Sequence, residues 1–530
     1  MLFTSYEFLA FLAVVFLLYY ILPRKAQWIL LLVASYVFYW LAKPTYLIFI
    51  LTTTVTVYFA TMWIQKKKDR FEEAFQQKKK ELDRDARKAL KEQERKREVR
   101  IMVGCLLLNL GILAVLKYTN FAIHNVNSVL HLFGGKELPF VNLILPMGIS
   151  FYTFQSMGYL IDVYRGAYRA EKNPLKLALF VSFFPQLVQG PISRFNDLAR
   201  SLFEEHRFEI TTVSRGLQRI LWGYFKKLVV ADRIVIAVNT IIQNPETYSG
   251  GYVFIGMMFY AFELYADFTG GIDITIGIAQ TLGIEVTENF RRPFLSKNIK
   301  EYWNRWHITM GSWFTDYIFY PISVCKPMLK LNKKAKKWFG DAIGKRVPVY
   351  LSSFVVWFAT GIWHGASWNF IVWGLGNFVV IMISQELEPC YQWFHSKVKI
   401  KGNPVYECFQ IIRTILLMSC LRTFDCYRDV PLTFKMFGAM FTDFKISHFS
   451  GASFLGLGLS GGDYLILFMA LCLMFAVSLW QEKKGSVRET VARKKLPVRF
   501  AVWYGLLIII LVFGAYGHGY SASQFIYNQF

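Results

Sequence analysis

Charge is scarce in this 530-residue chain: only 18% of its residues are Asp, Glu, Lys or Arg, against 54% hydrophobic and 18% aromatic. A soluble chain of this length divides into compact units with charged surfaces, so the composition argues against one. Several catalytic signatures are missing. No GxxxxGK[ST] loop is present, which disfavours ATP-driven transport by this chain. No HExxH and no GxSxG appear, which disfavours a metalloprotease and a serine hydrolase. The seven cysteines form no CxxC pair and no zinc spacing, so no metal site is expected, and Cys105 and Cys472 read as small buried hydrophobes. The N-terminus lacks the basic start of a signal peptide, and Arg24 and Lys25 follow its apolar run. It reads as an uncleaved first helix with its N-terminus outside.

What the chain does have is repeated apolar runs, many close to the ~20 residues that span a bilayer as a helix. They predict helices at 2–22, 28–41, 46–64, 101–117, 143–163, 229–242, 252–282, 409–421, 464–479 and 500–516. The run 347–383 is long enough for two elements with a break near Gly365. The short run 175–188 ends at Gln189-Gly190-Pro191 and reads as re-entrant. Roughly ten to twelve spans result, in one membrane domain covering 1–530.

The net charge of +24 (60 Lys and Arg against 36 Asp and Glu) is distributed as clusters between apolar runs. That placement fits the positive-inside rule and not a nucleic-acid surface. The loops after the first and third helices are both basic, so both are assigned to the cytoplasm. Segment 65–100 alternates its charges and reads as a solvated cytoplasmic helix. The basic segment 194–227 reads as amphipathic helices near the membrane surface. Lys326 to Arg346 and the cluster from Lys483 to Lys495 are further basic stretches. The last helix then runs outward and leaves the tail 517–530 outside.

His364 is the strongest candidate for chemistry. It lies 18 residues into the run after Arg346, about 27 Å along a helix. Burying an ionisable group at such depth is costly, which makes it a functional candidate by default, the alternative being a structural histidine hydrogen-bonded between helices. Imidazole can take a proton from an alcohol near neutral pH. His307 sits among Trp303, Trp306 and Trp313, nearer the inner face. Its residues alone leave two readings open: help for a donor thioester, or a hydrogen-bonded histidine in an interfacial aromatic belt. Glu263, Asp267 and Asp273 share one apolar helix. They read as structural partners of Arg291, Arg292 or Arg305, although a secondary transporter or flippase would use them as a proton path. A passive scaffold is a third class.

Three motifs taken together narrow the reading: YADFTGGIDITIGIAQTLGIEVTENFRRPF (265–294), EYWNRWHITMGSWFTDYIFYP (301–321) and GIWHGASWNFIVWG (361–374). In this order they resemble the membrane-bound O-acyltransferase (MBOAT) family, and within it the bacterial polysaccharide branch. That branch includes alginate and peptidoglycan O-acetylation proteins and the teichoic acid D-alanyl transfer protein. The resemblance covers nearly the whole chain. It implies an all-α integral membrane fold, a ring of helices with re-entrant elements around a central tunnel. It implies His364 and His307 as the catalytic pair, and Asn304, Trp306, Trp363 and Ser367 on the substrate path. The tail FIYNQF is similar to the ending of alginate-type members and suggests Tyr527, with Ser521 or Ser523, as an acyl relay. Tyr527 could equally be an aromatic anchor. The implied donor is acetyl-CoA or another acyl thioester. The implied partners are an extracytoplasmic SGNH-type transferase and a polysaccharide acceptor, with D-alanyl transfer as the alternative. The implied location is the bacterial cytoplasmic membrane.

Overall fold

The computed structural model describes residues 3–78 and 80–516. They form helices and connecting segments, with no strand among the described residues. Among the described residues eight helices are long and apolar enough to cross a membrane, three before residue 133 and five after residue 346. The first apolar run forms the shorter helix Tyr6–Ile21, capped by the Ser5 hydroxyl on the Phe8 amide.

Contacts divide the chain into two compact units, Met1–Val213 with Ala279–Thr287, and Ser214–Ile278 with Glu288–Phe530. In the first unit the third and fourth apolar runs do not stop where their hydrophobicity stops. Their helices run Tyr46–Lys78 and Arg84–Leu132, so residues 65–78 and 84–100 are helical extensions of apolar helices. The backbone ladder continues because Lys, Arg, Glu and Gln are good helix formers. Asp83 caps the second extension on the Ala86 amide, and the Lys68 ammonium donates to the Val163 carbonyl at 2.9 Å. The run 175–188 is broken into Pro174–Ser182 and Phe184–Leu187. Residues 183–193 are buried throughout, as irregular backbone in an apolar setting requires.

In the second unit the helix Gly251–Thr281 carries Glu263, Asp267 and Asp273. The cations that meet the two aspartates differ from those the sequence suggested. Asp273 pairs with Arg219 (2.9 Å) and Lys226 (2.5 Å), and Asp267 with Lys227 (2.6 Å), which also holds Asp232 at 2.8 Å. Arg292 and Arg305 instead share Glu482, at 2.5 and 2.8 Å. Neighbours in sequence lost to residues brought close by helix packing.

The long run after Arg346 is two helices, Val347–His364 and Trp368–Glu386, with the break where Gly365 stands. Their backbones pack closely. A β-carbon on Gly374 would lie 2.5 Å from the Trp357 carbonyl oxygen, and one on Gly361 would lie 2.6 Å from that of Phe370. Close approach through small residues is how helices associate where no hydrophobic effect drives them together.

Candidate active site

His364 is the last residue of its helix. Gly365 leaves the helix in an extended conformation, and a side chain there would collide with the Phe370 ring at 2.1 Å. The imidazole is therefore held at a helix break, buried, against three aromatic rings. Trp373 meets it edge-on at 4.6 Å, Trp363 at 5.0 Å, and Phe370 is parallel at 6.5 Å. Ser367 stands at the start of the next helix and its hydroxyl contacts the side chain of Asn369, whose amide donates to the Phe424 carbonyl at 3.1 Å. That bond ties the break to the helix Pro404–Tyr427.

His307 lies between two short helices, Ile299–Arg305 and Ile308–Phe314, in the left-handed region (φ 49°, ψ 51°). A β-carbon there costs about 1–2 kcal/mol. The surroundings impose it. Asn289 accepts from the Thr309 amide (3.1 Å) and hydroxyl (2.9 Å), its carbonyl accepts from the Ile308 amide (2.9 Å), and the Arg291 amide donates to the Arg305 carbonyl (2.8 Å). Strain held in this way points to a functional position. The ring is 1% exposed and packs against Phe268 at 5.0 Å and Phe290 at 6.3 Å. Burial, with the Arg422 charge nearby, pushes its imidazole down to about 3, so it is neutral at cellular pH.

The two histidines meet through one ring. The Trp363 indole lies 5.7 Å from His307 and 5.0 Å from His364, edge-on to both. Arg422 completes the group. It is buried on the helix Pro404–Tyr427, with its guanidinium over Trp306 at 4.2 Å and 5.9 Å from Trp373, the ring that touches His364. A desolvated cation over an indole is worth ~2 kcal/mol or more. Trp306 itself stacks on Tyr302 at 5.6 Å.

Of the residues singled out in the sequence, His307, His364, Trp306 and Trp363 come together, and Ser367 sits half-buried at the break beside His364. Asn304 is exposed on the helix Ile299–Arg305. Tyr527, Ser521 and Ser523 lie outside the described residues. Sequence reasoning passed over Arg422. It falls one residue past the apolar run 409–421, and the helix in fact continues to Tyr427, so the signal was a run ended too early. Among the described residues no three His, Cys, Asp or Glu side chains converge as metal ligands would. The chemistry on offer is a buried imidazole at a helix break to accept a proton, a fixed positive charge, and aromatic walls that exclude water.

Comparison with known proteins adds an independent finding. The profile of the MBOAT, membrane-bound O-acyltransferase family matches residues 169–423, a stretch that contains both histidines and Arg422. A protein of Pseudomonas putida named probable alginate O-acetylase is 29% identical over the full length of both chains. One of the same name from Pseudomonas syringae is 30% identical over 86% of this chain and 79% of its own. The teichoic acid D-alanyltransferase of Bacillus subtilis is 28% identical over 56% of this chain and 73% of its own.

Proposed function

The chain belongs to the membrane-bound O-acyltransferase family and is a multi-pass membrane O-acyltransferase, and from that premise we propose that it moves an acetyl group from a cytosolic thioester to hydroxyls of a polysaccharide outside the cell. The observation that carries this reading is the placement of His364. It is a buried imidazole at a helix break, sharing the Trp363 ring with a second buried histidine.

The step is general-base acyl transfer. The His364 imidazole takes the proton of an attacking hydroxyl, and the hydroxyl oxygen forms a bond to the thioester carbonyl carbon. The tetrahedral intermediate collapses, the carbon–sulfur bond breaks, and the departing thiolate takes the proton back from the imidazolium to leave as thiol. Acetyl-CoA is the donor in this reading. Tyr527 supplies the first hydroxyl, and an extracytoplasmic SGNH-type transferase passes the acetyl group to the polymer. The site lies in the bacterial cytoplasmic membrane with both chain termini outside. His307, neutral and fixed, orients the donor carbonyl.

The acetyl reading draws on the relatives matched over most of their length, which are named for alginate. The D-alanyl reading draws on the Bacillus relative, matched over a shorter stretch. Purified protein incubated with radiolabelled acetyl-CoA releases thiol and becomes labelled. His364→Ala lowers that rate by about 10²- to 10⁴-fold, the usual contribution of a positioned base, with an unchanged thermal midpoint. Undiminished labelling by this variant removes His364 from the mechanism. Labelling from a D-alanyl carrier-protein thioester but not from acetyl-CoA reassigns the acyl group.

A further inference from the structure

The helix Lys326–Gly344 takes no part in the site, yet its sequence is arranged with care. Lys326, Lys330, Lys333, Lys334 and Lys337 recur at three- and four-residue spacing and fall on one stripe. All five are exposed. Met328 and Ala335, on the opposite side, are buried, and the helix is in contact with the helix Val347–His364. Lys336 alone among its lysines reaches a carboxylate, Asp341 at 3.9 Å. Among the described residues none of the five lysines of the stripe forms an ion pair. Two large exposed aromatics end this part of the helix, Trp338 (66% exposed), which borders the stripe, and Phe339 (59%) next to it in sequence. Gly340 follows with φ 78° and kinks the helix directly after them.

We propose that this helix lies in the plane of the membrane interface and binds the headgroups of anionic phospholipids through its lysine stripe. One face is committed to the protein, the aromatics sit at the level where indole and phenyl rings prefer to be, and the charge is left to meet phosphate. A basic stripe without acidic partners is complementary to a sheet of negative charge. Its convex form suits a lipid surface and not a single polyphosphate ligand, which needs a concave site.

The test is native mass spectrometry of the full-length protein in zwitterionic detergent, titrated with phosphatidylglycerol. Each basic residue near an anionic leaflet is worth about fivefold. Replacing all five lysines by Gln raises the half-saturating lipid concentration at least tenfold, and Lys330→Gln with Lys334→Gln raises it by an intermediate amount. Five Lys→Arg replacements leave it unchanged. A control variant with Gln at Lys66, Lys80, Lys88, Lys91 and Lys96, in the charged helical extensions and the turn between them, binds as the wild type does. Equal affinity of the wild type and the five-Gln variant overturns the proposal. Displacement of the lipid by micromolar coenzyme A also overturns it, because the stripe would then serve the donor. The double variant reads the same stripe if the five-Gln protein does not fold.

Discussion

His307 joins a left-handed backbone to a fully buried ring, and each feature yields a measurable consequence. Its imidazole is pushed down to about 3 in the folded chain, from an ordinary value of 6.5. Between those limits the unfolded chain binds the proton and the folded one does not, so stability falls as pH drops from 6.5 toward 3. Above 6.5 the residue contributes no pH dependence. His307→Asn accepts the left-handed backbone and has no imidazole to titrate. The thermal midpoint of the wild type therefore declines more steeply from pH 7 to pH 4.5 than that of the variant. Parallel declines would mean that the ring is not held neutral by its surroundings. Both histidines were legible as single residues in apolar, Trp-rich segments. Their common neighbour was not, because the Trp363 contact to His307 spans 56 residues of chain.

The helix–break–helix element from Val347 to Glu386 was legible as a whole. An apolar run too long for one span, interrupted by Gly365 and Ser367, has to be two helices, and His364 falls at the join. The closeness of the two backbones was not legible, since it depends on which glycines face each other. Gly374→Ala sets a methyl against the Trp357 carbonyl and costs about 1–3 kcal/mol. It lowers the thermal midpoint and, by displacing the break, the acyl-transfer rate. Gly505→Ala in the helix Leu496–Phe513 meets nothing within 4 Å and leaves both unchanged or raises stability. Equal behaviour of the two variants would show that the close approach carries no weight. The charged run 65–100 was legible as helix, and its continuity with the apolar helices on either side was not, because hydropathy marks where lipid ends and not where hydrogen bonding does.

For the whole molecule, the alternation of basic clusters with apolar helices leads us to expect Lys326 to Arg346 and Lys483 to Lys495 on one side of the membrane. Single cysteines at Lys334 and Gly485, in a cysteine-free background, are both labelled by an impermeant maleimide in lysed cells and by none in intact cells. Labelling of either in intact cells would reverse the topology. By itself the sequence determined that the chain is helical and membrane-spanning, because those properties follow from local composition and period. It also marked His307 and His364, because ionisable residues stand out in an apolar context. Only the tertiary structure decided that Lys226, Lys227 and Arg219 neutralise the aspartates of the helix Gly251–Thr281, and that Arg422 comes to rest over Trp306 beside the rings that hold His364. Such pairings join residues far apart in the chain, and many cations could satisfy a buried carboxylate. Helix packing selects which one arrives, and no local pattern records that choice.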